Sequence, residues 1–278
     1  MTLKVPTMIL ATHSVVLSAI VMLFQPSISD GATSCECAVF TLDGVQDYFL
    51  TNVQMDIIKM FDQKNANLTI GIIGNEFGID KNMTTFIQNE IPIGHKKSII
   101  EAANNGWKDE DFTTLSKEQQ SDRINKTQAR LNYLLKTQPL TFIAPYGNMN
   151  NDTIEALRTS NLQYANAYWE SSDLPVPLND SNLYIIPPSM NTGILNPKTG
   201  LYDMISYDEL VRGIKQNITD MGAAIVSMQP MEFAQRNQTD YINESNETEI
   251  KKLSSLLDDL RKMNAPTVTI RLFSETIK

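Results

Sequence analysis

From residue 38 onward, short apolar runs alternate with stretches in which apolar residues recur every three or four positions. Ala38 to Leu42 reads as a strand, and Val53, Ile57, Met60 and Phe61 then share one face of a helix that closes near Lys64. Leu68 to Ile73 is a second strand, ended by Gly74 and Asn75. Ser116 with Gln119 forms a capping box that opens a helix carrying Ile124, Leu131, Leu134 and Leu135. Thr141 to Ile143 is a third strand, stopped by Pro145, and Thr153 to Leu157 begins another helix. Tyr168 to Asp203, rich in Pro, Asn and Ser, predicts short strands and surface loops. A second capping box, Ser206 with Glu209, precedes a helix with Leu210, Ile214 and Ile218 on one face. Ala223 to Met228 is a strand, Glu247 to Lys262 a helix, and Thr267 to Leu272 a last strand.

Strands alternating with helices over this length predict an α/β fold with a parallel barrel-like sheet, formed as one domain over residues 38–278. In such barrels the chemistry gathers where strands end at their carboxyl side. The residues to watch are therefore Asp43 and Gly44, Asn75, Pro145 and Tyr146, and Gln229.

The first residues obey a different pattern. Lys4 precedes an apolar stretch from Met8 to Phe24, and Pro26, Ser27 and Ser29 follow as a cleavage region. Residues 1–29 thus read as a secretory signal peptide, with 30–37 a short segment before the domain; the alternative is an uncleaved anchor holding the protein at a membrane. No second apolar span follows, so no stable membrane span is expected once the signal is removed. Export agrees with the sequons opened by Asn67, Asn82, Asn125, Asn151, Asn179, Asn217, Asn237, Asn243 and Asn246, where about four would arise by chance. The expectation is a secreted, extracellular glycoprotein. Cys35 and Cys37 are the only cysteines; a disulfide between them would close a small strained ring, so an unimportant or intermolecular role is expected of them. The net charge of -9 excludes nucleic acid and anionic membrane as main partners, since both attract basic surfaces.

The blocks TLDGVQDYF, AANNGWKDEDFTTLS, TFIAPYGN and AIVSMQPMEF, in this order and spacing, resemble the NodB-homology polysaccharide deacetylases of carbohydrate esterase family 4. The resemblance implies a distorted (β/α) barrel, a carbohydrate-polymer ligand and removal of N-acetyl groups from it, a hydrolysis of carbon–nitrogen but not peptide bonds. In active members, one aspartate is a general base, the next aspartate and two histidines of an H-x-x-x-H hold a divalent metal of the zinc type, and a distal histidine is the general acid. The metal polarises the acetamide carbonyl and its bound water, the base takes a proton from that water, and the acid protonates the leaving amine.

Placed on this sequence, the resemblance keeps the base at Asp43 and keeps Asp47, Gly106, Trp107, Pro145, Tyr146 and Gly147. It puts Gly44 where the metal aspartate belongs, Asn105 and Asp109 where the two histidines belong, and Gln229 where the acid belongs. His13 lies in the signal, which leaves His95 alone in the mature chain, read as a surface or capping residue. No metal is expected at Gly44, Asn105 and Asp109, and hence no cofactor.

The first expectation is a catalytically impaired relative that binds an acetylated amino-sugar polymer in a vestigial cleft, with Asp47, Trp107, Pro145 and Tyr146 touching the sugar. Asp43 retains the base position in this reading, although a loop-closing aspartate reads equally well. The alternative is an active N-deacetylase with a rearranged metal site, in which Asp43, Asp47, Asn105 and Asp109 offer oxygen to a hard cation such as calcium or magnesium. A glycosylated scaffold for an unknown protein partner is a third reading.

Overall fold

The structure is a computed structural model that describes residues 35–91, 99–169, 174, 176–178 and 182–277. The expected signal segment, His13, His95 and the Asn179 sequon lie outside them.

The apolar run from Cys37 is buried continuously through Leu42 because it is covered on both faces, as a central parallel strand must be. Along this strand, β1 (Cys37–Val45), side chains alternate: Ala38, Phe40 and Leu42 face the helices, whereas Cys37 and Val39 face the inner side with Ile225 and Phe273. The chain continues through α1 (Thr51–Gln63), β2 (Leu68–Ile72), α2 (Lys81–Glu90), β3 (Ile100–Asn104), α3 (Lys117–Leu135), β4 (Thr141–Ile143), α4 (Asn151–Thr159) and β5 (Tyr164–Asn166). Short strands follow: β6 (Val176–Pro177), β7 (Tyr184–Ile185), β8 (Met190–Asn191), β9 (Gly193–Leu195) and β10 (Tyr202–Met204). Then come α5 (Tyr207–Met221), β11 (Ala223–Met228), the hairpin β12 (Ala234–Arg236) and β13 (Tyr241–Ser245), α6 (Glu247–Lys262), β14 (Thr267–Val268) and α7 (Ile270–Thr276).

The main sheet runs β6-β7-β5-β4-β3-β2-β1-β11-β8, with β14 also on β1. Its pairings are parallel except β6 with β7, and its end strands β6 and β8 do not pair with each other among the described residues. The result is the expected barrel-like parallel sheet, curled and left open as a half-barrel. The described residues all fall within one compact unit.

Both capping boxes form as read: Gln119 N donates to Ser116 Oγ at 3.4 Å and Glu209 N to Ser206 Oγ at 3.3 Å. The span Thr267 to Leu272 is a correction. It pairs only through Thr267–Val268 and then turns helical, because Thr269 Oγ1 accepts from Leu272 N at 3.2 Å and caps α7. Cys35 and Cys37 are a second correction, since they are disulfide-bonded to each other with Cα atoms 5.1 Å apart. The ring is local, so the bond ties no distant segments together. Among the described residues no helix is long and apolar enough to cross a membrane.

Candidate functional site

A cleft of about 490 Å³ opens at the carboxyl ends of the parallel strands, a volume in the range of small-ligand sites. β1 and β11 run in register from Cys37 opposite Ala223 to Leu42 opposite Met228. One step further, Asp43 and Gln229 are carried to the same rim, and both line the cleft. The pairing of β1 with β2 shifts register between Leu42 and Val45, and Asp43 and Gly44 occupy that irregular stretch. Gly44 takes φ +76°, a left-handed conformation that disfavours a side chain. A Cβ there would meet nothing within 4 Å, so backbone conformation, not crowding, constrains the position.

The three positions that would hold a metal are tied up by other contacts. Gly44 N donates to Asn105 Oδ1 at 2.9 Å, and Asn105 Nδ2 donates to Ile143 O at 2.8 Å. Asn105 is buried, so both ends of its amide are committed within the protein. Asp109 is exposed at the cleft mouth, where it accepts from Tyr146. Gly44 has no donor atom on a side chain, and an amide is a weak ligand where imidazole is wanted. Among the described residues no group of three or more His, Cys, Asp or Glu is arranged to hold a metal ion. The donor set does not fit the divalent metal of the resemblance.

Two carboxyls remain inside. Asp43 Oδ2 accepts from Ser227 Oγ at 2.6 Å, and Ser227 Oγ lies 3.1 Å from Thr41 Oγ1. Asp43 Oδ1 is buried without a hydrogen-bond partner. Burial pushes the Asp43 pKa up to about 6, against the lowering effect of the Ser227 and Thr41 hydroxyls. The second carboxyl, Glu232, is 2% exposed and lines the same cleft. Thr192 Oγ1 donates to Glu232 Oε2, and the side chain lies so close to Gly193 that a Cβ there would sit 2.6 Å from Glu232 Cδ. Burial first, and the Asp43 charge in addition, push Glu232 to about 8, so it holds its proton at neutral pH.

Glu232 is not among the residues the sequence pattern singles out, although it stands three residues after Gln229 in the same MQPMEF block. The signal was there: a lone glutamate within an apolar turn that the strand delivers to the cleft. Phe49, Tyr168 and Tyr202 also line the cleft and were not read.

Of the residues expected to touch sugar, Pro145 and Tyr146 line the cleft, Tyr146 with 61% of its surface exposed. Asp47 and Trp107 do not line it, which corrects their expected placement. Asp47 is buried, and its Oδ2 accepts from Ile79 N at 2.6 Å and Asp80 N at 2.7 Å, holding the loop ahead of α2. Trp107 packs over Gly74, whose added Cβ would lie 2.9 Å from Trp107 Cε3.

The sequons differ in access. Asn82, Asn125, Asn151, Asn237 and Asn243 are exposed, and Asn217 and Asn246 are half-buried. Asn67 donates from Nδ2 to Thr267 O at 2.8 Å and accepts at Oδ1 from Ile99 N at 2.7 Å, so its amide is occupied.

The model of the polysaccharide deacetylase family matches residues 30–165. Among solved structures, a putative polysaccharide deacetylase from Mycobacterium smegmatis superposes with TM-score 0.64 at 14% identity, covering 90% of this chain and 92% of that one. The peptidoglycan N-acetylglucosamine deacetylase Bc1960 gives 0.57 at 16% identity, over 86% and 87%. BA3943 from Bacillus anthracis, a pseudoenzyme of carbohydrate esterase family 4, gives 0.58 at 12% identity, over 87% and 66%. A search of curated protein sequences finds no match. Residues 30–165 thus match the polysaccharide deacetylase family, and the solved structures share the fold of the described chain.

Proposed function

We propose that this chain is a catalytically impaired deacetylase relative that binds an amino-sugar polymer in its vestigial cleft. The observation that carries the reading is the closed metal corner, where Gly44 N and the backbone of Ile143 occupy both ends of the Asn105 amide. Without a metal to polarise the acetamide, and with Gln229 unable to release a proton, metal-assisted deacetylation loses its electrophile and its expected acid. The cleft keeps what binding needs: Tyr146 and Tyr168 are exposed rings for stacking on sugar faces, and Asn191 and Gln229 are polar lining groups for hydroxyls. The five exposed sequons support a secreted glycoprotein.

The alternative, an active N-deacetylase with a rearranged metal site, would have to break the Gly44 to Asn105 hydrogen bond to free an oxygen donor. The test is to incubate the purified chain with insoluble amino-sugar polymer and to assay both retention and acetate release in the presence of zinc, cobalt or calcium. Retention without acetate is expected. Sustained acetate release abolished by Asp43→Ala would establish the alternative, and failure to bind any amino-sugar polymer would remove the reading.

A further inference from the structure

The charges on the cleft wall are of one sign. Asp43 and Asp109 supply the negative charge, Glu232 beside them keeps its proton at neutral pH, and among the described residues no lysine, arginine or histidine lines the cleft. Lys108, next to Asp109 in the chain, is exposed and outside the lining, and Arg236 pairs with Asp203. A concave, partly desolvated site with carboxylates and no cation repels anionic sugars and favours a cationic group. This rules against phosphorylated or uronic units as ligands of the site.

The hydrogen-bonding groups point the same way. The amides of Asn105 and Asn166 are turned to the backbone, donating to Ile143 O at 2.8 Å and Ile186 O at 2.7 Å, which leaves Gln46, Asn191 and Gln229 as the other side-chain amides of the lining. Unmet acceptor capacity sits on Asp43, whose buried Oδ1 has no partner. A buried carboxylate oxygen left without a donor is costly, and a ligand group that brings N–H donors and positive charge relieves that cost. The rings of Phe49, Tyr146, Tyr168 and Tyr202 add π-faces around the opening, which attract an ammonium group further.

We propose that the unit seated in the cleft is an amino sugar with a free ammonium group, so that the chain selects deacetylated units of its polymer over acetylated ones. The proposal rests on the reading of the cleft as an amino-sugar site. Its ligand is the product of an N-deacetylation, which places the chain after a reaction that removes acetyl groups.

The test is calorimetric titration of the full chain with two oligomers of equal length, one of glucosamine and one of N-acetylglucosamine, at about pH 6.5. The expected result is at least about tenfold tighter binding of the glucosamine oligomer, a preference that shrinks with added salt and is lost in Asp43→Asn. Asp109→Asn, at the exposed mouth, provides a second variant and is expected to reduce the preference if Asp43→Asn does not fold. Equal or tighter binding of the acetylated oligomer overturns the selection while leaving the amino-sugar site standing. Binding of neither oligomer overturns both.

Discussion

The backbone N–H of Gly44 donates to Asn105 Oδ1 across 2.9 Å, joining the two positions at which the family resemblance would place a metal aspartate and a metal histidine. The contact makes this corner of the cleft a structural one. Asn105 bridges β1 to the end of β4, because its Nδ2 also reaches Ile143 O. Asn105→Ala should therefore destabilise the fold by about 2–3 kcal/mol, through loss of a buried amide that leaves Gly44 N and Ile143 O without partners. Urea unfolding of the two proteins measures this, and an unchanged midpoint would show that the bridge contributes nothing.

Restoring the metal ligands one at a time should fail. Gly44→Asp has room for its Cβ but must adopt φ +76°, at a strain of roughly 1 kcal/mol, and on its own it supplies one ligand. The single variant should bind zinc no better than the parent, whereas Gly44→Asp combined with Asn105→His and Asp109→His should bind zinc stoichiometrically. Acetate release should still be slow in the triple variant, because Gln229 remains in the acid position. Zinc titration followed by calorimetry distinguishes these outcomes, and tight zinc binding by the single variant would contradict the account.

Glu232 gives the fold a pH signature. Its folded pKa is raised to about 8 from an ordinary 4.5, so between those values the folded state holds a proton that the unfolded chain releases. Stability from this group is complete below about pH 4.5 and declines as pH rises through about 8. Asp43 acts in the same direction between about 3.8 and 6. Glu232→Gln mimics the protonated acid and removes its titration. The variant should match the parent near pH 4.5 and gain on it by a few kcal/mol as pH approaches 8. Thermal unfolding across that range checks the prediction, and parallel curves for the two proteins would refute it.

Asp47 offers a contrast within the same block. Its Oδ2 accepts from Ile79 N and Asp80 N, and no cleft surface belongs to it. Asp47→Ala should cost roughly 2–3 kcal/mol of stability and increase hydrogen exchange across residues 76–83, with glycan affinity in the folded fraction unchanged. A selective loss of glycan affinity at unchanged stability would return Asp47 to the binding surface.

Much of this arrangement was legible in the residues. Ala223–Met228 and Glu247–Lys262 have the bounds the pattern assigns them, since a run that is apolar but for Ser227 and a leucine-spaced stretch leave no competing period. β3 is an element the pattern does not assign, because Glu101 interrupts its short apolar run. The carboxyl is accommodated by Thr69 Oγ1 at 3.1 Å, Thr141 Oγ1 and Arg271 N at 3.1 Å, partners supplied from elsewhere in the fold. The same holds for the cleft: the family resemblance places Asp43, Asn105, Asp109 and Gln229 there, and all four line it. Which retained residues turn inward was not legible. Trp107 and Asp47 lie in the right blocks, but the local turn directs one onto Gly74 and the other onto a backbone loop.

The most direct test of a metal-free amino-sugar cleft is calorimetric titration of the full chain with an amino-sugar oligomer before and after exhaustive chelation. Saturable binding with the same affinity in both states is predicted. Binding that disappears on chelation and returns with added zinc or calcium would contradict it.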